Sequence, residues 1–188
     1  MERAVVLVKP DGVKRGLIGE VLTRYERMGL KIIAMKMMWA KEDILGKHYK
    51  DEAEFLRSLG GKTLKTYKDY GKDVHEDLGT TDSLELGKMI RKWTIDYVGS
   101  GPLVAILFEG RHAVDNARSI AGPTMPVNAP PGTIRGDFAT DSSAYANSEK
   151  RGVQNILHVS GSKEEAEFEE KLWFHESEIH TYKRGEEF

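Results

Sequence analysis

Residues 101–122, "GPLVAILFEGRHAVDNARSIAG", contain the signals of one strand and one helix in immediate succession. Residues 103–108 form an unbroken apolar run, which is typical of a buried strand. The apolar positions after that run recur at helical spacing: Ala113, Val114, Ala117 and Ala121. Gly122 follows where a glycine commonly ends a helix. This stretch therefore predicts a β-strand that leads into an amphipathic helix.

The chain begins with the same order of elements. Residues 4–8 are apolar and mostly β-branched, and "KPDG" at residues 9–12 marks a turn after that strand. Four apolar positions then follow at helical spacing: Ile18, Val21, Leu22 and Tyr25. Gly29 is the expected end of this helix. Residues 30–40 are apolar on both parities, which predicts a second strand that is covered on both faces.

A last strand is predicted at residues 153–159, and Ser162 with Glu165 forms a capping box that opens a helix to about Phe174. The order is then strand, helix, strand, an inserted region, and again strand, helix, strand. This order favours an α+β fold, namely a ferredoxin-like βαββαβ antiparallel sheet with helices on one face, plus a helical insertion.

The inserted region should carry its own helices, because 50 residues between Tyr49 and Ser100 are too many for a structureless connection. One helix is predicted after a capping box formed by Asp82 and Glu85. Its apolar positions are Leu86, Ile90, Trp93 and Tyr97. A second helix, indicated by Leu56, Leu59, Tyr67 and Tyr70, is expected to break near Gly60-Gly61.

We expect residues 1–188 to form a single domain, since this length suits one core. The helical segment is inserted at about 53–94, and a second short insertion lies at about 139–150. Residues 122–138 are rich in proline and glycine, and we expect them to be irregular.

Composition excludes several classes of protein. The chain has 28 basic and 30 acidic residues, so a net charge of -2 gives no field that would attract nucleic acid or a membrane surface. No apolar stretch has the length of a membrane span or a signal peptide. The absence of cysteine rules out disulfides and thiolate metal sites and fits a reducing compartment, for which we expect the cytoplasm.

Three familiar motifs are incomplete or missing. "LGGKT" at residues 59–63 resembles the end of a phosphate-binding loop, but Leu56 stands where the first glycine is required and no strand precedes it. No histidine pair has the spacing of a zinc protease, and we expect His175 and His180 to be surface residues. No G-x-S-x-G nucleophile elbow is present.

A scattered basic and polar set remains, and each member lies at the edge of a predicted element: Lys9, Arg118, Thr124, Arg135, Asn155 and His158. Individually they have ordinary explanations, because a lone lysine after a strand or an arginine on a helix is usually a solvated charge. Together they can neutralise a polyphosphate while His158 attacks its terminal phosphorus.

Five segments resemble the signature stretches of the nucleoside diphosphate kinase family, in the family's order: "VKPDGVKRGLIGE", "SGPLVAILFEG", "PPGTIRGDF", "NILHVSGS" and "LWFHESEI". The resemblance implies transfer of the terminal phosphate of a nucleoside triphosphate to a nucleoside diphosphate, by a ping-pong mechanism through a phosphohistidine. It also implies Mg²⁺ that is carried on the nucleotide phosphates, with no direct protein ligand.

The family pattern also implies roles for individual residues around the nucleotide. Lys9 is similar to the lysine that meets the transferred phosphate and a ribose hydroxyl, and Asn155 to the asparagine that contacts the ribose. Arg118 and Arg135 are similar to the two phosphate-binding arginines. Thr124 is similar to the threonine that contacts the phosphates.

Four further residues correspond to the family's histidine site. His158 is similar to the nucleophile, and Glu169 to the glutamate that orients its ring. Ser160 matches the small hydroxyl residue near the histidine. Tyr49, in "KHY", matches the tyrosine beside it, which we count among the substrate-binding residues.

The sequence departs from the family pattern in its insertions and at Gly161, where an acidic residue is common. The insertion displaces the aromatic that stacks on the base: Ile90 stands at that position, and Phe55 or Trp93 are alternatives. We hypothesise that the inserted segment is a helical lid over the base site. The alternative is a peripheral segment that packs on its own domain. The run "FATDSSAYANSEKRG" is similar to archaeal members.

Two other functions are compatible with the same residues. A ferredoxin-like nucleotide-binding module is one, since fold alone does not fix function. A phosphohistidine relay protein, which would pass the phosphate to water or to another protein, is the second. As partners we expect nucleoside di- and triphosphates and further copies of the chain. The family resemblance implies a hexamer or a tetramer built from dimers.

Overall fold

The computed structural model describes residues 1–185. In chain order the elements are β1 (Glu2–Val8), α1 (Pro10–Lys14), α2 (Ile18–Arg27), β2 (Lys31–Met38), α3 (Glu42–His48), α4 (Ala53–Asp69), α5 (Val74–Leu78), α6 (Ser83–Val98), β3 (Leu103–Gly110), α7 (Ala113–Ala121), α8 (Ile134–Phe138), α9 (Ser143–Ser148), β4 (Leu157–Val159) and α10 (Lys163–Trp173).

The four strands form one sheet in the order β2-β3-β1-β4, and every neighbouring pair is antiparallel. With α2 after β1 and α7 after β3, this is the predicted ferredoxin-like βαββαβ arrangement. The two central strands are buried along nearly their whole length, as their unbroken apolar runs predicted. The pairing of His158 with Leu7 places β4 beside β1.

Alternate residues of β1 enter two different cores. Val6 faces the cluster that includes Val21 of α2 and Ala117 of α7. Leu7 faces the other cluster, which includes Leu45 of α3 and Trp173 of α10. The two connecting helices therefore cover one face, as predicted, while α3, α6 and α10 cover the other.

One expectation for β2 is wrong. Met35 and Met37 were expected to be covered, but their side chains are 52% and 60% exposed. β2 is an edge strand, and the C-terminal segment contacts it through His180 and Glu178 but leaves these two methionines open to solvent. An apolar pattern on both parities cannot distinguish cover by the same chain from cover by another molecule.

The insertion contains the two predicted long helices, but the expected break at Gly60-Gly61 does not occur. α4 runs continuously from Ala53 to Asp69. A Cβ on Gly60 would lie 1.9 Å from the Ser83 carbonyl oxygen, and one on Gly87 would lie 2.0 Å from the Leu56 carbonyl oxygen. These glycines therefore allow α4 and α6 to cross in backbone contact.

Three smaller expectations also need correction. The "KPDG" turn is the start of α1, with Pro10 in its first turn. The last strand is only Leu157–Val159, because Ile156 has a φ of 69° and interrupts the extended backbone. The irregular stretch 122–138 contains a 3-10 turn at Pro126–Asn128 and the short helix α8. Over residues 1–185, no helix has the length and apolar character needed to cross a membrane.

The adjacent glycines of α4 provide a matched test of the helix crossing. Gly60→Ala should lower the free energy of unfolding by about 1–3 kcal/mol, because the methyl group collides with the backbone of α6. Gly61→Ala should raise it by about 0.5–1 kcal/mol, because no atom lies within 4 Å of its added Cβ and alanine favours the helix. Denaturant unfolding measures both. Equal effects of the two substitutions would refute the close crossing.

Candidate functional site

The centre of the site is the His158–Glu169 pair. His158 Nε2 lies 2.7 Å from Glu169 Oε1, and the Ser160 hydroxyl donates to Glu169 Oε2 at 2.6 Å. β4 holds the histidine, and α10 returns the glutamate to it after a helix start at which the Ser162 side chain accepts from Glu165 N. Because Nε2 is occupied by the carboxylate, Nδ1 is the nitrogen with a free lone pair.

The surroundings of His158 keep its ring neutral. Burial is the main cause that lowers its pKa to about 3, followed by the positive charges of Lys9 and Arg135. Burial raises the pKa of Glu169, and the hydrogen bond from Ser160 acts in the opposite direction. The pair therefore consists of a neutral imidazole whose N–H points at a buried carboxyl group.

Gly161 has a structural explanation. Its backbone N–H donates to Glu165 Oε2 at 2.8 Å, and a Cβ on Gly161 would lie 2.5 Å from the same oxygen. The Glu165 carboxylate thus occupies the space beside Gly161. Its negative charge raises the pKa of His158, but burial and the nearby cations lower that pKa by more. The first turn of α10 therefore supplies a carboxylate beside Gly161, although residue 161 itself has no side chain.

Lys9, Asn155 and Thr124 are joined in one hydrogen-bonded chain. Lys9 Nζ donates to Asn155 Oδ1 at 2.8 Å, and Asn155 Nδ2 donates to the Thr124 carbonyl oxygen at 2.9 Å. Lys9 is buried beneath the site. Burial, and secondly the charge of Arg135, lower the pKa of Lys9 to about 7.

Arg135 is buried, and it lies on the short helix α8, although the sequence predicted an irregular loop at this position. Its guanidinium donates to the carbonyl oxygens of Gly122 at 2.5 Å, Leu157 at 2.7 Å and Asn155 at 3.3 Å. Burial lowers its pKa to about 10. Since an arginine has five N–H groups, two remain for another acceptor.

Arg118, Thr124 and Arg135 line one cleft of about 390 Å³, together with Gly122, Thr133 and Val159. His158 does not line this cleft, but the charges of Arg135 and Arg118 are near enough to lower the pKa of its ring. Arg118 is exposed on α7. Lys9 lies outside the cleft lining, but its charge also acts on His158, so the structure brings the three predicted cations near the histidine.

The backbone just before β4 is strained. Ile156 has a φ of 69°, which is unfavourable for a β-branched residue and costs about 1–3 kcal/mol. The strain is held by two hydrogen bonds: Ile156 N donates to Asp11 Oδ2 at 3.0 Å, and Lys9 N donates to the Ile156 carbonyl oxygen at 2.8 Å. The Tyr97 hydroxyl donates to the other oxygen of Asp11.

His48 and Trp173 belong to the site but were not predicted. The His48 ring lies edge-on to the His158 ring, with 4.4 Å between centroids, and His48 Nδ1 accepts from Trp173 Nε1 at 3.2 Å. Tyr49, which was predicted, lies edge-on to His48 at 4.7 Å. Both missed residues stand inside stretches with a clear signal, "KHY" and "LWFHESEI", but neither has a recognisable pattern of its own.

Among residues 1–185, His48, His158 and Glu169 form a group whose potential metal-ligating atoms lie within 4.8 Å of one another. The geometry argues against a cation there. The lone pair of His48 Nδ1 is already used, because it accepts from the Trp173 indole N–H at 3.2 Å. The nearby lysine and arginine charges would repel a metal ion.

Comparison with known proteins gives a consistent result. The model of the family "Nucleoside diphosphate kinase" matches residues 2–59 and 85–179. A nucleoside diphosphate kinase of Pyrobaculum aerophilum is 44% identical over 95% of this chain and 98% of its own length. One from Pyrococcus abyssi is 38% identical over 100% of this chain and 92% of its own.

Solved structures agree. A crystal structure of an NDP kinase from Pyrobaculum aerophilum superimposes with a TM-score of 0.91 at 42% identity, over 95% of this chain and 98% of that one. A nucleoside-diphosphate kinase from Borrelia burgdorferi, solved as a transition-state mimic with vanadate and ADP, gives 0.77 at 32% identity, over 98% and 93%. The chain therefore belongs to the nucleoside diphosphate kinase family.

The depressed pKa of Lys9 predicts a pH dependence of stability. Between pH 7 and 10.5 the unfolded chain keeps a proton on Lys9 that the folded chain has released, so this contribution to stability increases with pH. From pH 7.5 to 9.5, the free energy of unfolding should rise by about 2 kcal/mol more in the native protein than in Lys9→Met. Denaturant unfolding at each pH measures this difference. A difference that does not change with pH would contradict the shift.

Proposed function

We propose that the chain transfers the terminal phosphate of a nucleoside triphosphate to a nucleoside diphosphate through a phosphohistidine at His158. The observation that carries the proposal is the hydrogen bond of 2.7 Å between His158 Nε2 and Glu169 Oε1. This bond fixes the tautomer in which Nδ1 has a free lone pair. Membership of the nucleoside diphosphate kinase family supports the same reaction.

The reaction has two balanced steps. His158 Nδ1 attacks the terminal phosphorus, the bond from phosphorus to the bridging oxygen breaks, and the nucleoside diphosphate leaves with that electron pair. A terminal oxygen of a second nucleoside diphosphate then attacks the same phosphorus and releases the imidazole. During the first step the ring becomes positively charged, and the Glu169 carboxylate stabilises this charge.

The remaining site residues position charge in the cleft. Arg118 and Arg135 neutralise the phosphates. Lys9 contacts the transferred phosphate, and its hydrogen bond to Asn155 holds the ammonium group in position. Because the pKa of Lys9 is about 7, the negative charge of a bound phosphate favours the protonated form of Lys9. The set supports this role because Lys9 and Arg135 are buried near an imidazole and, within residues 1–185, donate to an amide oxygen and to backbone carbonyls rather than to carboxylates.

Three residues have auxiliary roles. Thr124 contacts the phosphates from the rim of the cleft, where it is exposed. Ser160 donates to Glu169 and so fixes the carboxylate that orients the ring. Tyr49 approaches the transferred phosphate. Its hydroxyl is buried and, among the described residues, has no hydrogen-bond partner.

The divalent cation of the reaction is Mg²⁺ carried on the nucleotide phosphates. The donor set fits this arrangement, because none of the described residues that line the cleft carries a carboxylate that would ligate a cation directly. When bound, Mg²⁺ neutralises phosphate charge and fixes the geometry of the phosphate chain.

The chain forms one catalytic domain, residues 1–188, with insertions at about 53–94 and 139–150. The gap at residues 60–84 in the family match supports the first insertion. Leu86 packs against Tyr67 within this segment, and α4 contacts α9 through Thr66 and Ser143. These contacts favour packing on the same domain over the lid, which stays a hypothesis.

The chain assembles with copies of itself in the cytoplasm, as a hexamer or a tetramer built from dimers. The exposed apolar side chains of the edge strand β2 support a contact of this kind, because Met35 and Met37 are exposed on it, and Trp39 beyond its end is 64% exposed. The absence of cysteine fits a reducing compartment.

Labelled transfer tests the proposed function. The protein is mixed with ATP labelled at its terminal phosphate, freed of nucleotide, and then given a different nucleoside diphosphate. The native protein should become labelled and pass the label to the diphosphate. His158→Ala should do neither, and His175→Ala, which changes an exposed histidine, should behave as native.

Two results would contradict the proposal. A His158→Ala variant that still acquires an acid-labile label would place the nucleophile elsewhere. A native protein whose label passes only to water or to another protein would be a relay, and one that never acquires label would be a binding module.

A further inference from the structure

Arg91 connects the insertion to the end of α3. It lies on α6, and its Nε donates to the Tyr49 carbonyl oxygen at 2.8 Å, with the Lys50 carbonyl oxygen at 3.2 Å. Its Nη2 donates to the Gly46 carbonyl oxygen at 3.0 Å. The last carbonyls of a helix have no partner within the helix, and a cation there also interacts favourably with the helix dipole. Arg91 therefore caps α3 from another element.

The end of α3 is one wall of the site. It carries His48, which lies edge-on to His158, and Tyr49, which lies edge-on to His48. His48 Nδ1 is 3.6 Å from Glu169 Oε1. A shift of this helix end would therefore change what packs against both members of the His158–Glu169 pair.

The side chains of this helix end are packed, since His48 accepts from Trp173, whereas its carbonyl groups accept side-chain hydrogen bonds from Arg91. α3 has only 7 residues, and at its other end Lys41 makes no side-chain cap. Leu45 anchors the middle of the helix in the core. After Tyr49 the chain is exposed as far as Phe55. Arg91 thus supplies directed hydrogen bonds where the chain leaves the core.

We propose that Arg91 is a positioning residue, which keeps His48 and Tyr49 packed against the His158–Glu169 pair. This inference rests on the proposed function. Without the cap, the end of α3 loosens and the imidazole samples orientations that do not attack phosphorus. The affinity for ADP should stay constant, because the phosphate cleft is built from α7, α8 and the loop between them, and ADP lacks the phosphate that meets His158.

Single-turnover phosphorylation by labelled ATP tests this role. In Arg91→Ala the rate of phosphoenzyme formation should fall about tenfold or more, while the dissociation constant of ADP stays within about twofold. Arg91→Lys keeps the charge but cannot reach the Gly46 and Tyr49 carbonyls together, so its rate should fall severalfold. The matched control is Lys92→Ala, whose side chain is exposed and pairs with Asp96, and it should phosphorylate at the native rate.

Imidazole resonances in ¹⁵N-labelled protein give a readout that does not depend on catalysis. The His48 and His158 signals should move in Arg91→Ala and Arg91→Lys, and stay in place in Lys92→Ala. Native phosphorylation rates in whichever Arg91 variants fold would overturn the inference, as would unmoved histidine signals. A native protein that forms no phosphoenzyme would instead refute the proposed function, and the histidine signals would still show whether Arg91 positions the helix end.

Discussion

The hydrogen bond between Glu169 and His158 is the interaction on which the site depends. One carboxylate oxygen of Glu169 is hydrogen-bonded to His158 Nε2, and the other accepts from the Ser160 hydroxyl. Its geometry requires β4 to pair with β1 and α10 to pack back on the sheet, since the two partners come from different elements. The antiparallel sheet therefore contributes to the reaction chiefly by fixing one ring orientation.

The buried cations of the site favour the binding of an anion, but their burial lowers the stability of the folded chain. Lys9 and Arg135 are buried, yet their hydrogen-bond acceptors are an amide oxygen and backbone carbonyls rather than carboxylates. Burial accordingly lowers the pKa of both groups, and the burial of His158, together with their charges, keeps its ring neutral. The strained backbone of Ile156 adds a further cost. A bound polyphosphate would supply the missing negative charge.

Local sequence signals were sufficient to predict much of the fold and of the site. The end of α7 at Gly122, where φ is 80°, follows from residues next to it in sequence. The same is true of the start of α10 at Ser162. Gly60 could not be interpreted in this way, because its meaning depends on the backbone of α6, which approaches it only in the folded chain. His48 and Arg91 were missed for the same reason: their roles depend on contacts between elements far apart in sequence.

The central claim is that Glu169 holds Nε2 and leaves Nδ1 of His158 to attack phosphorus. The most direct measurement is the ³¹P NMR spectrum of the phosphoenzyme, denatured in base and compared with phosphohistidine standards, together with peptide mapping. The account predicts about one phosphate per chain on Nδ1 of His158. Phosphate attached to Nε2, or to any other residue, would contradict it.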